Sequence, residues 1–173
     1  KNESMKKFAL LCSFLALASC ENDDICDDSV VTPRLIVRVY DKDTPTRTKT
    51  VNSLLVVGNN QNTPTQPIAT TDSLVLPLKL SSGESSFILV KDAAVDSLGR
   101  ITRGSQVALK IQANASQLFA NKGCGYKVVY DQVSASIDSI AGNTRWIDRV
   151  QVMFRKVEDE KKATIRKIGR ASC

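Results

Sequence analysis

The stretch that decides the fold is Arg34-Leu35-Ile36-Val37-Arg38-Val39-Tyr40, which alternates at period two. Such alternation predicts a half-buried β-strand, and the turn-forming residues Asp41-Lys42-Asp43-Thr44-Pro45 follow it directly. We predict further short strands at residues 50–57, 73–80, 86–90, 99–103, 106–111, 125–133, 146–157 and 163–168. About eight or nine short strands are typical of an all-β domain, here an antiparallel β-sandwich that is either Ig-like or barrel-like.

The segments between these runs are less regular. Residues 61–67 are rich in Asn, Thr, Gln and Pro and predict an exposed loop. Pro77 cannot donate a ladder hydrogen bond, so it places its strand at an edge or a bulge. A short connection at residues 81–84 predicts a hairpin between the strands at its two ends. Residues 113–122 are ambiguous, because residues 114–120 also fit one helical turn.

The N-terminal residues have the layout of a secretory signal. Met5-Lys6-Lys7 is followed by an apolar run, then by Leu17-Ala18-Ser19-Cys20 and an abruptly acidic segment. The apolar run is too short to span a bilayer, which needs about twenty residues. Cys20 after Leu-Ala-Ser resembles the lipobox of bacterial lipoproteins, whose cysteine thiol is acylated. Plain cleavage of a soluble secreted protein is the alternative.

The predicted organisation has three parts. Residues 1–19 form a signal peptide with its natural start at Met5, and residues 20–31 form a lipidated acidic tether. Residues 32–173 form a single β domain with a basic C-terminal tail.

The charge distribution argues against a nucleic-acid partner. The formal net charge is +6, but residues 21–154 carry fourteen basic and fourteen acidic side chains. The excess lies in the signal and in the tail, and no basic stripe with interleaved aromatic residues crosses the domain.

The composition also limits the chemistry that the chain can perform. Histidine is absent, which removes the usual general base and the commonest metal ligand. No Gly-rich phosphate loop and no Cys-x-x-Cys pair is present in the sequence. We therefore predict a non-catalytic protein with no cofactor and no metal site. The alternative is an enzyme that uses two carboxylates brought together by the fold.

Five cysteines need an assignment. Cys12 leaves with the signal and Cys20 is the lipidation site, so Cys26, Cys124 and Cys173 remain. In an oxidising envelope we expect Cys26 to pair with Cys124, with two buried free thiols as the alternative. Cys173 is expected to be free.

Several short strings, read in order, indicate a family. They are Cys20-Glu21-Asn22-Asp23-Asp24-Ile25-Cys26-Asp27, Thr32-Pro33-Arg34-Leu35, Cys124-Gly125-Tyr126 and Trp146-Ile147. Together they resemble a family of uncharacterised Bacteroidota lipoproteins, a domain of unknown function. The resemblance covers roughly residues 5–160 and implies a lipid anchor, an all-β domain and no established activity. It places Cys26 and Cys124 on the family's two cysteine positions, which favours the disulfide. The basic residues 165–173 depart from the family's aromatic final strand and put that strand in doubt.

Two further patterns resemble signals used by lipoproteins of this phylum. Acidic residues directly after Cys20 resemble an export signal for surface display, although they also suit a solvated tether. A repeated Asp-Ser-aliphatic tripeptide resembles an O-glycosylation site, with turn formation as the alternative. The serines concerned are Ser29, Ser73, Ser97 and Ser139.

These features predict an outer-membrane lipoprotein that is attached to the membrane through Cys20, with surface display slightly favoured over the periplasmic side. The β domain is expected to be a binding or structural module of unknown specificity. The alternative is a glycan- or protein-binding subunit of an outer-membrane complex. Trp146 and Tyr126 suit a glycan-binding surface, but the scarcity of aromatic residues favours a core or sheet-face role for both.

Overall fold

The computed structural model contains nine β-strands within the residues that it describes, which are 31–58, 61, 64–158 and 165–169. For residues 166–169 the structure describes the backbone alone. The strands are β1 (Leu35–Asp41), β2 (Val51–Gly58), β3 (Pro64–Thr71), β4 (Ser73–Leu76), β5 (Gly83–Val95), β6 (Ile101–Asn121), β7 (Gly125–Ser139), β8 (Ile147–Val152) and β9 (Ile165–Gly169). The predicted all-β class is confirmed. The part of the chain described here contains no helix with the length and hydropathy needed to span a bilayer.

The strands form two separate sheets. One has four strands in the order β4-β1-β9-β8, and the other has five in the order β3-β2-β5-β6-β7. This arrangement is a sandwich-like fold and not a closed barrel. Neighbouring strands are antiparallel except for β1 and β9, which run parallel. Parallel strands need a long connection between them, and here most of the domain separates the two.

The hydrophobic core lies between the two sheets. Strand β1 contributes Leu35, Val37 and Val39, because alternate side chains of a strand point to the same face. Strand β6 of the other sheet also buries every second side chain in this core, namely Val107, Leu109 and Ile111. Each fully buried Val, Leu or Ile stabilises the fold by about 1.5–3 kcal/mol relative to an exposed position. Aliphatic alternation therefore accounts for most of the packing.

A smaller apolar cluster, separate from the main core, lies where β5 bends. It contains Leu55, Val57, Val90 and Ala93. The register between β5 and β6 shifts between Lys91 and Ala94, and Asp92 has a φ of 54°. The opposite residue on β6 is Gly104, with a φ of 128°. A Cβ atom at Gly104 would lie 2.4 Å from Val90 Cγ1 and 2.8 Å from the Lys91 carbonyl oxygen.

Replacing Gly104 by alanine is expected to destabilise the domain by about 2–4 kcal/mol, because backbone strain and overpacking add. Gly99→Ala is the matched control, since Gly99 has a φ of 77° but no atom within 4 Å of the added Cβ. That control should cost about 1 kcal/mol. Urea denaturation followed by tryptophan fluorescence gives both values, because Trp146 is the only tryptophan and is buried. Equal losses in the two variants would contradict the steric explanation.

Three local predictions were wrong. Residues 64–71, within or next to the predicted loop, form edge strand β3, where Pro64 and Pro67 are tolerated because one side of an edge strand needs no ladder partner. Residues 101–121 form one continuous strand, where two short runs were predicted and residues 113–122 were left ambiguous. The predicted hairpin across residues 81–84 does not form, since β4 pairs with β1 while β5 pairs with β2 and β6.

Two details at the ends of strands match or correct the sequence analysis. Strand β4 is an edge strand and ends at Leu76, directly before Pro77. This agrees with the prediction, because proline has no backbone N–H to donate to a neighbouring strand. The doubt about the final strand is removed, because β9 lies between β1 and β8 and buries Ile165 completely. The backbone of this strand therefore lies between two neighbouring strands and not at the edge of the sheet.

Candidate functional site: a protruding β-hairpin

The most distinctive surface feature is a two-stranded hairpin that extends past the rest of its sheet. Strand β5 ends its pairing with β6 at Gly83 opposite Ala113, whereas β7 follows β6 as far as Asn121. Residues 114–121 of β6 and 125–131 of β7 thus form a projection, which we call the arm. At about 3.3 Å per residue the arm is about 25 Å long.

A β-bulge at the base of the arm sets which side chains face the core. Gln112 pairs with Ser134, but Asn114 pairs with Asp131, so β7 has one extra residue at this point. The extra residue is Gln132, with a φ of 49°, and its side-chain oxygen accepts a hydrogen bond from Asn114 Nδ2 at 3.1 Å.

The bulge keeps the apolar side chains of β7 on one face. Val133 lies on one side of the bulge and Tyr130 on the other, and both are buried in the main core. Without the extra residue, every side chain between Tyr130 and the tip would point to the opposite face. Val128 and Tyr126 consequently lie on the same face as Tyr130.

The tip of the arm exposes apolar side chains on both of its faces. Phe119 and Tyr126 pair directly across the strands, and their rings meet edge to face with centroids 5.4 Å apart. They are 54% and 66% exposed, because the opposite sheet does not cover this part of the arm. Leu118 lies on the other face and is 47% exposed. No acidic residue occurs in residues 114–130, which contain two lysines, Lys122 and Lys127.

The turn at the tip is fixed by a hydrogen bond and by a disulfide. The Cys124 N–H donates to Asn121 Oδ1 at 2.7 Å, which satisfies a backbone group in the turn. Cys124 is disulfide-bonded, and its partner lies outside the described residues. The alternative of a free thiol at Cys124 is therefore wrong, while the pairing with Cys26 stays a prediction because Cys26 also lies outside the described residues.

The described N-terminal residues run along the arm. The Val128 N–H donates to Thr32 Oγ1 at 3.0 Å, so Thr32 lies at the free edge of β7. Its neighbour Val31 is 61% exposed. On the other side of the arm, the Ala115 N–H donates to Ser82 Oγ at 2.9 Å. Thr32 and its neighbour Val31 thus lie at the arm and not at the opposite end of the sheet.

The remaining predicted site residues are not brought together. Ser97 is exposed in the β5–β6 turn, where Asp96 Oδ1 accepts hydrogen bonds from the Leu98 and Arg100 N–H groups at 2.9 Å each. Ser73 is half-buried in β4 and donates to Asp72 Oδ1 at 2.9 Å. Ser139 is exposed at the end of β7. The predicted lipidation site Cys20 and the predicted glycosylation site Ser29 lie outside the described residues.

The two aromatic residues singled out in the sequence have different environments. Trp146 is 5% exposed and belongs to the core, as favoured. Tyr126 is exposed on a face of β7, so the core role is wrong for it and the sheet-face role remains. The exposed partner Phe119 was missed, because its segment was ambiguous between a strand and one helical turn. The only signal that could have found it is the start of this segment, where Ala113 and Ala115 alternate with the polar Asn114 and Ser116, because Gln117 and Leu118 then break the alternation.

Three described aspartates, Asp41, Asp72 and Asp96, have a pKa below the ordinary value. The Lys49 ammonium, hydrogen-bonded to Asp41, holds the pKa of Asp41 below its ordinary value, and backbone N–H groups of the turn add to this. A hydrogen bond from the Ser73 hydroxyl lowers the pKa of Asp72. Hydrogen bonds from the Arg100 backbone N–H and guanidinium lower the pKa of Asp96. Among the described residues no three His, Cys, Asp or Glu side chains come close enough to hold a metal ion.

The protein is thus a two-sheet, all-β domain with a protruding arm. The model of a family of unknown function, DUF6452, matches residues 53–168, and the chain belongs to that family. No curated protein and no solved structure matches the chain significantly.

Proposed function

We propose that this protein is a bacterial envelope lipoprotein, held in the outer membrane by acyl chains on Cys20. The observation that carries the proposal is the order of features from residue 5 to residue 28: two lysines, a short apolar run, Leu-Ala-Ser-Cys and an acidic segment. One acyl chain gives only marginal attachment, whereas a multiply acylated cysteine anchors a protein stably. The acidic residues Glu21, Asp23 and Asp24 favour display on the cell surface.

The β domain acts as a binding or structural module and not as an enzyme. Its described aspartates with shifted pKa values are all shifted downward, which makes them poor proton donors at neutral pH. The chain also has no histidine to serve as a general base. These features support a role in which the domain presents a surface.

A Cys20→Ser substitution tests the anchor. We expect the wild-type protein to sediment with outer membranes and to incorporate a clickable fatty acid, and the variant to lose the label and the attachment. Cys173→Ser is the matched control and should behave like the wild type. Protease added to intact cells reports in the same samples whether the domain is on the surface. A Cys20→Ser variant that sediments with the membranes as before would exclude the proposal.

A glycan- or protein-binding subunit is the second candidate function. The observation that favours it is the exposed edge-to-face pair of Phe119 and Tyr126, since exposed aromatic side chains are common at binding surfaces. Binding of the purified lipoprotein to envelope glycans, lost in Tyr126→Ala, would support it.

We further propose that the protein is O-glycosylated at exposed Asp-Ser-aliphatic sites, with Ser97 as the best placed of those described. In the native host, the intact mass should exceed that of the acylated chain, and Ser97→Ala should reduce the excess. Ser73→Ala is the matched control, because Ser73 is half-buried and its hydroxyl donates to Asp72. An intact mass equal to chain plus lipid would show that no site is used.

A further inference from the structure

We propose that the tip of the arm, formed by Leu118, Phe119 and Tyr126, lies in the headgroup region of the membrane that holds the lipid anchor. This inference rests on the proposed acylation of Cys20. It extends that proposal by giving the domain an orientation, with the β6–β7 turn toward the bilayer and the β5–β6 turn away from it.

The length of the tether places the anchor near the arm. Thr32 is fixed on β7 beside Val128, and twelve residues separate it from Cys20, which is at most about 43 Å of extended chain. The disulfide at Cys124 shortens this span if its partner is Cys26, because Cys20 is then within about 27 Å of Cys124. The β5–β6 turn lies at the other end of a 21-residue strand, up to about 70 Å away.

The distribution of apolar side chains fits insertion of the tip and not docking of one face. Phe119 and Tyr126 lie on one face of the arm and Leu118 on the other, and all are about half exposed or more. A flat protein partner or a glycan would cover one face only. Entry into an interface tip-first surrounds both faces, and the ring pair combines an apolar body with a polar hydroxyl, as side chains at membrane interfaces do.

The charge of the arm suits the same partner. Residues 114–130 contain no carboxylate, and the exposed Lys122 lies in the turn itself. Lysines close to a membrane surface are attracted by anionic headgroups while their stems cover apolar surface. The backbone of the turn is partly satisfied internally, since Asn121 accepts the Cys124 N–H, which lowers the cost of leaving bulk water.

Tryptophan quenching in vesicles tests the orientation. The full-length acylated protein is reconstituted into phosphatidylethanolamine–phosphatidylglycerol vesicles that contain dibrominated phosphatidylcholine. The variants are Phe119→Trp and, as the matched control, Leu98→Trp, whose site is 73% exposed in the β5–β6 turn. Trp146 is buried and supplies a common background that also reports folding. We expect the added signal of Phe119→Trp to fall about twofold or more, because interfacial side chains reach about 5–10 Å into the boundary, with no change for Leu98→Trp.

The outcomes separate the two proposals. Acylated protein that does not float with the vesicles would refute the anchor itself. Protein that floats while Phe119→Trp is not quenched would overturn the orientation and leave the anchor intact. Equal quenching of Phe119→Trp and Leu98→Trp would also overturn it, since the domain would then have no preferred end toward the lipid.

Discussion

Replacing Cys124 by serine is expected to lower the free energy of unfolding by about 2–5 kcal/mol, the usual cost of removing a native disulfide from a small secreted domain. The reason is that the disulfide ties the turn at the tip of the arm to a segment far away in the sequence. Closing so long a loop restricts the unfolded chain strongly. Denaturant unfolding of the purified protein, followed by Trp146 fluorescence, measures the loss.

A set of cysteine variants identifies the partner at the same time. If Cys26 is the partner, Cys26→Ser gives the same loss as Cys124→Ser, and the double variant loses no more than either single one. Cys173→Ser should leave the stability unchanged. A Cys26→Ser variant that is as stable as the wild type would show that the predicted pairing is wrong.

Replacing Tyr130 by alanine is the second change with a large expected effect, about 3–5 kcal/mol of stability. Tyr130 is 1% exposed and is the largest fully buried side chain described. It joins three parts of the domain, because its backbone pairs with Val157 and its hydroxyl donates to the Leu78 carbonyl oxygen at 3.5 Å. Burial also raises the pKa of the Tyr130 hydroxyl, as expected for a group removed from water.

Tyr126→Ala is the matched control, since the same residue type lies four positions earlier on the same strand. Its side chain is 66% exposed, so we expect a change of at most about 0.5 kcal/mol. The same denaturation experiment measures both variants. A loss in Tyr126→Ala as large as that in Tyr130→Ala would contradict the view that the arm projects beyond the core.

The structure and the proposals give the molecule two functional ends. The arm and Thr32 lie at one end, and the proposals assign the anchor and the membrane contact to this end. The β5–β6 turn with Ser97 lies at the other end, exposed to modification and to partners. In a surface lipoprotein with this orientation, the β5–β6 turn would point away from the membrane. Contact between the arm and the membrane would limit rotation of the domain.

Much of the fold could be predicted from alternation alone. Strands β1 and β7 lie close to where the sequence placed them, because a strand with one buried face must repeat apolar residues at period two. Strand β2 was placed as closely from its continuous apolar run, since both of its faces are buried. Strand β3 was missed since an edge strand buries little and can carry prolines. The length of β6 was missed since its last residues no longer face a core, so their pattern weakens.

The all-β class and the alternation of the core strands can be derived from the amino-acid order, because both follow from the local geometry of a strand. The parallel pairing of β9 with β1 and the separation of β4 and β5 into different sheets depend on the folded domain, since such pairings join residues distant in the chain. The same holds for Tyr126 and Tyr130, which share a strand and a face. One is buried and the other exposed because the opposite sheet covers only the base of the arm.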